Sequence, residues 1–136
     1  MAEKLTPAPG FSLRVLSRTE EQLVMEARYA GGGSPPPAHF HPAQDERFEV
    51  LAGTMRAKVD GTESDLSAGQ SLEVGGGTSH LWNAGREEAV VRWVTAPAGQ
   101  TLEFCRELAA IGSGASENEP ATLLERYRDV FRLAEG

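Results

Sequence analysis

Between residues 11 and 96 apolar and polar side chains alternate with a period of two. In LVMEARYA, Leu23, Met25, Ala27 and Tyr29 alternate with Val24, Glu26 and Arg28, which predicts a strand with one buried face. MRAKV repeats the pattern, with Met55, Ala57 and Val59 set against Arg56 and Lys58. The Asp60-Gly61 pair that follows suits the two-residue type I′ turn of a hairpin. RFEVL, SLEV, HLWN and AVVRWVTA supply further short segments of the same kind, separated by glycine-rich breaks. Many short strands with no helix between them predict an all-β fold, an antiparallel sandwich or small barrel.

After Pro97 the period lengthens. TLEFCRELAAI has apolar residues at 102, 105, 108, 109 and 111, and GSGASENEP breaks the pattern. ATLLERYRDVFRLA then places Leu123, Leu124, Tyr127, Val130, Phe131 and Ala134 on one helical stripe, with Pro120 suited to its first turn. The chain is therefore expected to be one domain, 1–136. It has a β-barrel over about 11–96 and a helical tail over about 101–134, whose apolar stripe is expected to pack on the outside of its own barrel or on a second subunit.

The candidate chemistry lies in HFHPAQDERFEV. His39 and His41 are two apart, so on a strand both side chains leave the same face. Glu46 shares the apolar register of Phe48 and Val50, where a carboxylate needs a positive partner. The third histidine, His80, opens HLWN after the turn GGGTS. Three neutral imidazoles and one carboxylate can hold a divalent first-row metal and leave positions for water, oxygen or substrate. By parity Tyr29, Met25, Phe48, Val50, Met55 and Trp82 should line an apolar, aromatic pocket beside it. In VVRWV either Val91 and Trp93 or Val90, Arg92 and Val94 point inward. In the second case Arg92 could hold a substrate anion. Trp82 and Arg92 are the remaining candidates for a catalytic role. Gln44, Arg47 and Glu49 read as a solvated face, and Cys105 as a small buried hydrophobe in the tail, away from the ligands.

These segments also resemble the two motifs of the cupin superfamily. GSPPPAHFHPAQDERFEVLAG matches the first, G-x5-H-x-H-x4-E-x6-G, at Gly33, His39, His41, Glu46 and Gly53. GQSLEVGGGTSHLWN resembles the second, G-x5-P-x-G-x2-H-x3-N, at Gly69, Gly77 and His80. Gly75 stands where the motif has proline, and Asn83 comes one residue early. The resemblance is to small single-domain cupins of the conserved-barrel type. It implies a double-stranded β-helix, or jelly-roll barrel, and a homodimer. It also implies one divalent transition metal (iron, manganese, nickel, copper or zinc) held by His39, His41, Glu46 and His80.

Charge narrows the partners. The chain has 13 Lys and Arg against 20 Asp and Glu, a net charge of −7, and no basic cluster that would follow a phosphate backbone. With one cysteine, Cys105, no intrachain disulfide exists. No apolar run approaches the ~20 residues a membrane span needs, and MAEKLTPAPGF has no apolar secretory core. A cytoplasmic protein with a small-molecule ligand, no nucleic acid and no membrane is expected. The expected function is a metal-dependent enzyme acting on a small oxygen-rich or aromatic molecule. A dioxygenase of the quercetinase-like kind stands first, and a metal-dependent isomerase or cyclase next. The rival is a non-catalytic cupin that binds or senses a small molecule, since fold does not decide between them.

Overall fold

A computed structural model describes residues 3–33, 39–41, 44–75 and 79–133. Eleven strands among these residues form two antiparallel sheets. The larger contains β1 (Lys4–Ala8), β2 (Phe11–Arg18), β3 (Leu23–Tyr29), β5 (Asp45–Ala52), β8 (Ser71–Val74) and β10 (Ala89–Ala96), in the order β1-β2-β3-β10-β5-β8. The smaller contains β4 (His39–Phe40), β6 (Thr54–Val59), β7 (Thr62–Ser67), β9 (Ser79–Trp82) and β11 (Arg132–Leu133), in the order β11-β4-β9-β6-β7. The fold is an all-β jelly roll with short C-terminal helices, as the alternation predicts.

Cross-strand register explains the core. Ala27 lies opposite Leu13 on one side and Val91 on the other, and Val91 lies opposite Val50. Met25 and Phe48 both pair with Trp93, and Leu23 and Glu46 both pair with Thr95. The inner face is thus a set of apolar rows whose last row carries Thr95 and Glu46 beside Leu23. From the smaller sheet Met55, Ala57 and Leu66 complete the core, at 1%, 0% and 7% exposure. Asp60 and Gly61 both have positive φ, 48° and 88°, and join Val59 to Thr62 as a tight hairpin turn.

At Gly53 the chain leaves β5 in one sheet and enters β6 in the other. Its φ is +77°, and a Cβ there would lie 2.7 Å from the Glu88 carbonyl oxygen. Both conditions call for glycine. Gly53→Ala is expected to cost about 2–3 kcal/mol through strain and steric overlap with backbone. Chemical denaturation would check this, and a midpoint equal to that of the native sequence would contradict it.

The tail differs from its sequence pattern. Helix α1 (Thr101–Gly112) follows the expected periodicity, but α2 (Pro120–Arg126) ends after seven residues. Tyr127 makes its last helical bond, to the Leu123 carbonyl, and the chain then turns into β11, which pairs with β4. The stripe up to Phe131 is satisfied without a longer helix, and Ala134 lies outside the described residues. Phe104, Leu123, Tyr127 and Val130 form a small second core, with Leu108, Ile111, Leu124 and Phe131 packed on it. Leu102 and Cys105 of α1 belong to the main core. No helix among the described residues is long and apolar enough to cross a membrane.

Candidate functional site

The site forms where the polar end of the core rows meets the tail. Glu46 is inward-facing on β5 and 4% exposed. Its Oε2 accepts a hydrogen bond of 2.7 Å from the indole Nε1–H of Trp93 on β10. This engages one carboxylate oxygen and leaves Oε1 aimed at His41 Nε2, 3.3 Å away. His41 follows β4 and is 6% exposed. Its Nδ1 lies 2.6 Å from the carbonyl oxygen of Val130, an acceptor without a proton, so Nδ1 is the donor. In the neutral ring the lone pair is then on Nε2, facing Glu46. Two acceptors in contact need a proton or a cation between them.

Burial acts on the two groups in opposite directions. Desolvation raises the Glu46 carboxyl to about 7, with the Trp93 hydrogen bond pulling the other way. Desolvation, followed by the neighbouring His39, lowers His41 to about 4, against the pull of the Val130 carbonyl. Near neutral pH the junction therefore holds a neutral imidazole and a carboxyl poised between its two forms. The Tyr29 phenol is pushed above its ordinary value, first by burial and then by Glu46, so it stays a neutral hydroxyl.

His39 lies beside this pair. Its ring meets that of His41 edge-on, with centroids 5.2 Å apart, and stacks on Phe131 at 4.5 Å and 22°. His80 lies on β9 of the same sheet as β4. Leu81 lies opposite the core residue Ala57, which puts His80 opposite Lys58 on the alternate face of β9. The register position opposite His39 is that of Ser79. His80 is half-buried, 5.8 Å from the ring of Trp82, and is not among the residues lining the cavity. Asn83 is buried, and its side chain donates to the carbonyls of Tyr29 and Glu87 and accepts from the Gly85 amide. Among the described residues no three His, Cys, Asp or Glu side chains converge to hold a metal ion. Trp82, two residues beyond His80 on the same face of β9, lies opposite Arg56 and lines the cavity.

A cavity of about 510 Å³ opens from the pair. Of the expected pocket residues, Tyr29, Phe48 and Trp82 line it, whereas Met25, Val50 and Met55 are core at 0–1% exposure and do not. Phe11, Leu81, Trp93, Phe104, Leu108 and Phe131 add to the wall, with Phe11 stacked on Tyr29 at 4.9 Å. No Lys or Arg lines the cavity among the described residues, and the sequence has none outside them. Arg92 faces outward and pairs with Glu49 at 3.7 Å.

Two sequence readings are corrected by the tail. Cys105 is not remote from the site: it lines the cavity, and burial, then Glu46, pushes its thiol up to about 12. That keeps it protonated and unreactive. Gln44 is not on a solvated face. It is 6% exposed, and its Nε2 lies 2.8–3.0 Å from the carbonyl oxygens of Pro97 and Ala98 and from Thr101 Oγ1, tying the histidine loop to the start of α1. Trp93 was accessible as one of two parities in VVRWV. Val130, Phe131 and Phe104 carried no such signal, because only the docked tail brings them to the site.

The paired β-sheets, the first-motif residues around a central cavity and the strand order define a cupin barrel. The chain belongs to this family: the cupin domain model Cupin_2 matches residues 25–95, just over half of it. Similar solved structures include KdgF from Halomonas sp. (19% identity, TM-score 0.64, covering 74% of this chain and 90% of that one). An RmlC-like cupin from Shewanella frigidimarina aligns at 20% identity and TM-score 0.66, over 75% of this chain and 89% of that one. A cupin-superfamily sugar phosphate isomerase from Silicibacter pomeroyi aligns at 18% and 0.63, over 70% and 71%. At these identities the likeness concerns the fold. No curated protein matches the chain.

Proposed function

We propose that the chain is a small-molecule enzyme of the isomerase type that moves a proton within an apolar or aromatic substrate carrying one carbonyl or hydroxyl group. The observation that supports this is the His41 Nε2–Glu46 Oε1 contact of 3.3 Å at the head of an aromatic cavity. Both groups are oriented by hydrogen bonds on their far sides. The Glu46 carboxylate takes a proton from a carbon next to the substrate carbonyl, and the proton is shared with His41 Nε2. It then returns to a different atom of the same molecule, so no electrons leave the substrate. A general base works best when its pKa is close to the working pH, as burial makes that of Glu46.

The absence of Lys and Arg from the cavity lining supports an uncharged substrate. A phosphate or polyanion in this cavity would meet Glu46 and no Lys or Arg, so a neutral, ring-bearing molecule is favoured. The oxygenase reading of the motifs requires a redox metal on His39, His41, Glu46 and His80 together. The proton-transfer reading requires only the pair already in contact.

The test is solvent exchange. Aryl ketones with an acidic C–H are incubated with the protein in D2O and followed by NMR. Deuterium incorporation well above the buffer rate, with chelator present, is expected. Exchange at the buffer rate for every ketone, or exchange only after loading with iron or manganese, would overturn the reading.

A further inference from the structure

We propose that the C-terminal segment is a wall of the ligand site and that Phe131 is its specificity-determining residue, selecting ligands by ring size; this rests on the small-molecule reading above. Phe131 lines the cavity while belonging to neither the barrel nor α1. Its ring stacks on His39 at 4.5 Å, meets His41 edge-on at 5.7 Å and packs on Phe104 at 5.2 Å. It therefore stands between the polar pair and the second core, where the body of a bound molecule must pass.

Its position is set from both sides. Val130, immediately before it, is 5% exposed in the second core and accepts the 2.6 Å hydrogen bond from His41. Arg132 and Leu133, immediately after it, pair with Phe40 and His39 of β4. The amides of Val130 and Phe131 both donate to the Tyr127 carbonyl, at 2.8 and 3.0 Å. A ring held between a buried anchor and a strand pairing cannot withdraw without breaking one of them. A larger ligand is excluded by sterics that a smaller side chain at this position would relieve. Other apolar residues, among them Phe11, Leu81 and Leu108, also line the cavity. None but Phe131 touches both histidine rings among the ring contacts of the described residues.

The experiment measures the affinities of phenol and 2-naphthol for the full-length protein and for Phe131→Ala and Phe131→Trp. Calorimetry gives the affinities, and melting curves show that each variant is folded. Phe131→Ala is expected to shift the naphthol-to-phenol affinity ratio about tenfold or more toward naphthol, and Phe131→Trp to shift it the other way. If Phe131→Ala loosens the tail, Phe131→Trp and Phe131→Leu still report on size. Native protein that binds both probes, with the ratio unchanged in the folded variants, overturns the inference and leaves the proposed function standing. Native protein that binds neither probe nor any aryl ketone overturns the small-molecule reading, and the size selection falls with it.

Discussion

Glu46→Gln will reduce proton exchange by about 10²–10⁴-fold and, in the same protein, raise stability at alkaline pH. The amide keeps the shape, can accept from Trp93 and can donate to the His41 Nε2 lone pair, but it cannot take up a proton. The stability effect follows from linkage. The folded-state carboxyl of Glu46 is raised to about 7 from an ordinary 4.5, so between those values the folded chain holds a proton the unfolded chain has lost. Its contribution is present below 4.5 and is lost as pH rises through 7. His41 runs the opposite way. Lowered to about 4 from 6.5, it leaves the folded chain short of a proton that the unfolded chain binds, so its contribution grows as pH rises from 4 to 6.5. In the native sequence the two trends oppose each other between 4.5 and 6.5 and leave a shallow profile from this pair. In Glu46→Gln the histidine trend stands alone. The stability difference, variant minus native, should rise between pH 4.5 and 7 by about 2–3 kcal/mol. Denaturation across pH 4–8 in chelator checks this. A difference that falls with pH would mean that the carboxylate is stabilised as an anion in the fold.

Leu123→Ala is expected to disable the site from a distance. Leu123 is fully buried in the small core that joins α1, α2 and the last turn. Truncation of such a residue costs about 2–5 kcal/mol. The barrel has its own core, so the loss should appear first as local opening of the tail. Opening removes the Val130 carbonyl from His41 and Phe131 from the cavity wall, which frees the imidazole to change tautomer and widens the cavity. Phenol affinity should fall about tenfold or more while the barrel melt moves little. Hydrogen exchange at the amides of Val130 and Phe131, which bond to Tyr127, reports the opening directly. Tight phenol binding by a protein whose tail exchanges freely would show that the tail contributes nothing to the site.

The tail also marks where the sequence pattern stopped being informative. The period of two in LVMEARYA and MRAKV determined strand identity and inward faces, because alternation is a local property of extended backbone. Asp60-Gly61 determined its hairpin for the same reason, since two positive φ values suit those residues. Glu46 facing inward was legible from Phe48 and Val50 beside it. The same counting did not place His80, which opens its segment just after the glycine-rich turn, where register is not set by preceding apolar residues. Pairing with β6 set it, and put Leu81 rather than His80 over Ala57.

What the sequence by itself determined is the barrel, its cupin motifs and the inward carboxylate, each written in spacings of a few residues. Tertiary structure alone decided which groups meet there. His41 and Val130 are 89 residues apart, Glu46 and Trp93 are 47 apart, and Gln44 and Thr101 are 57 apart. Each contact joins elements that docking brings together, and no local periodicity encodes the distance between surfaces that meet only once the core has closed.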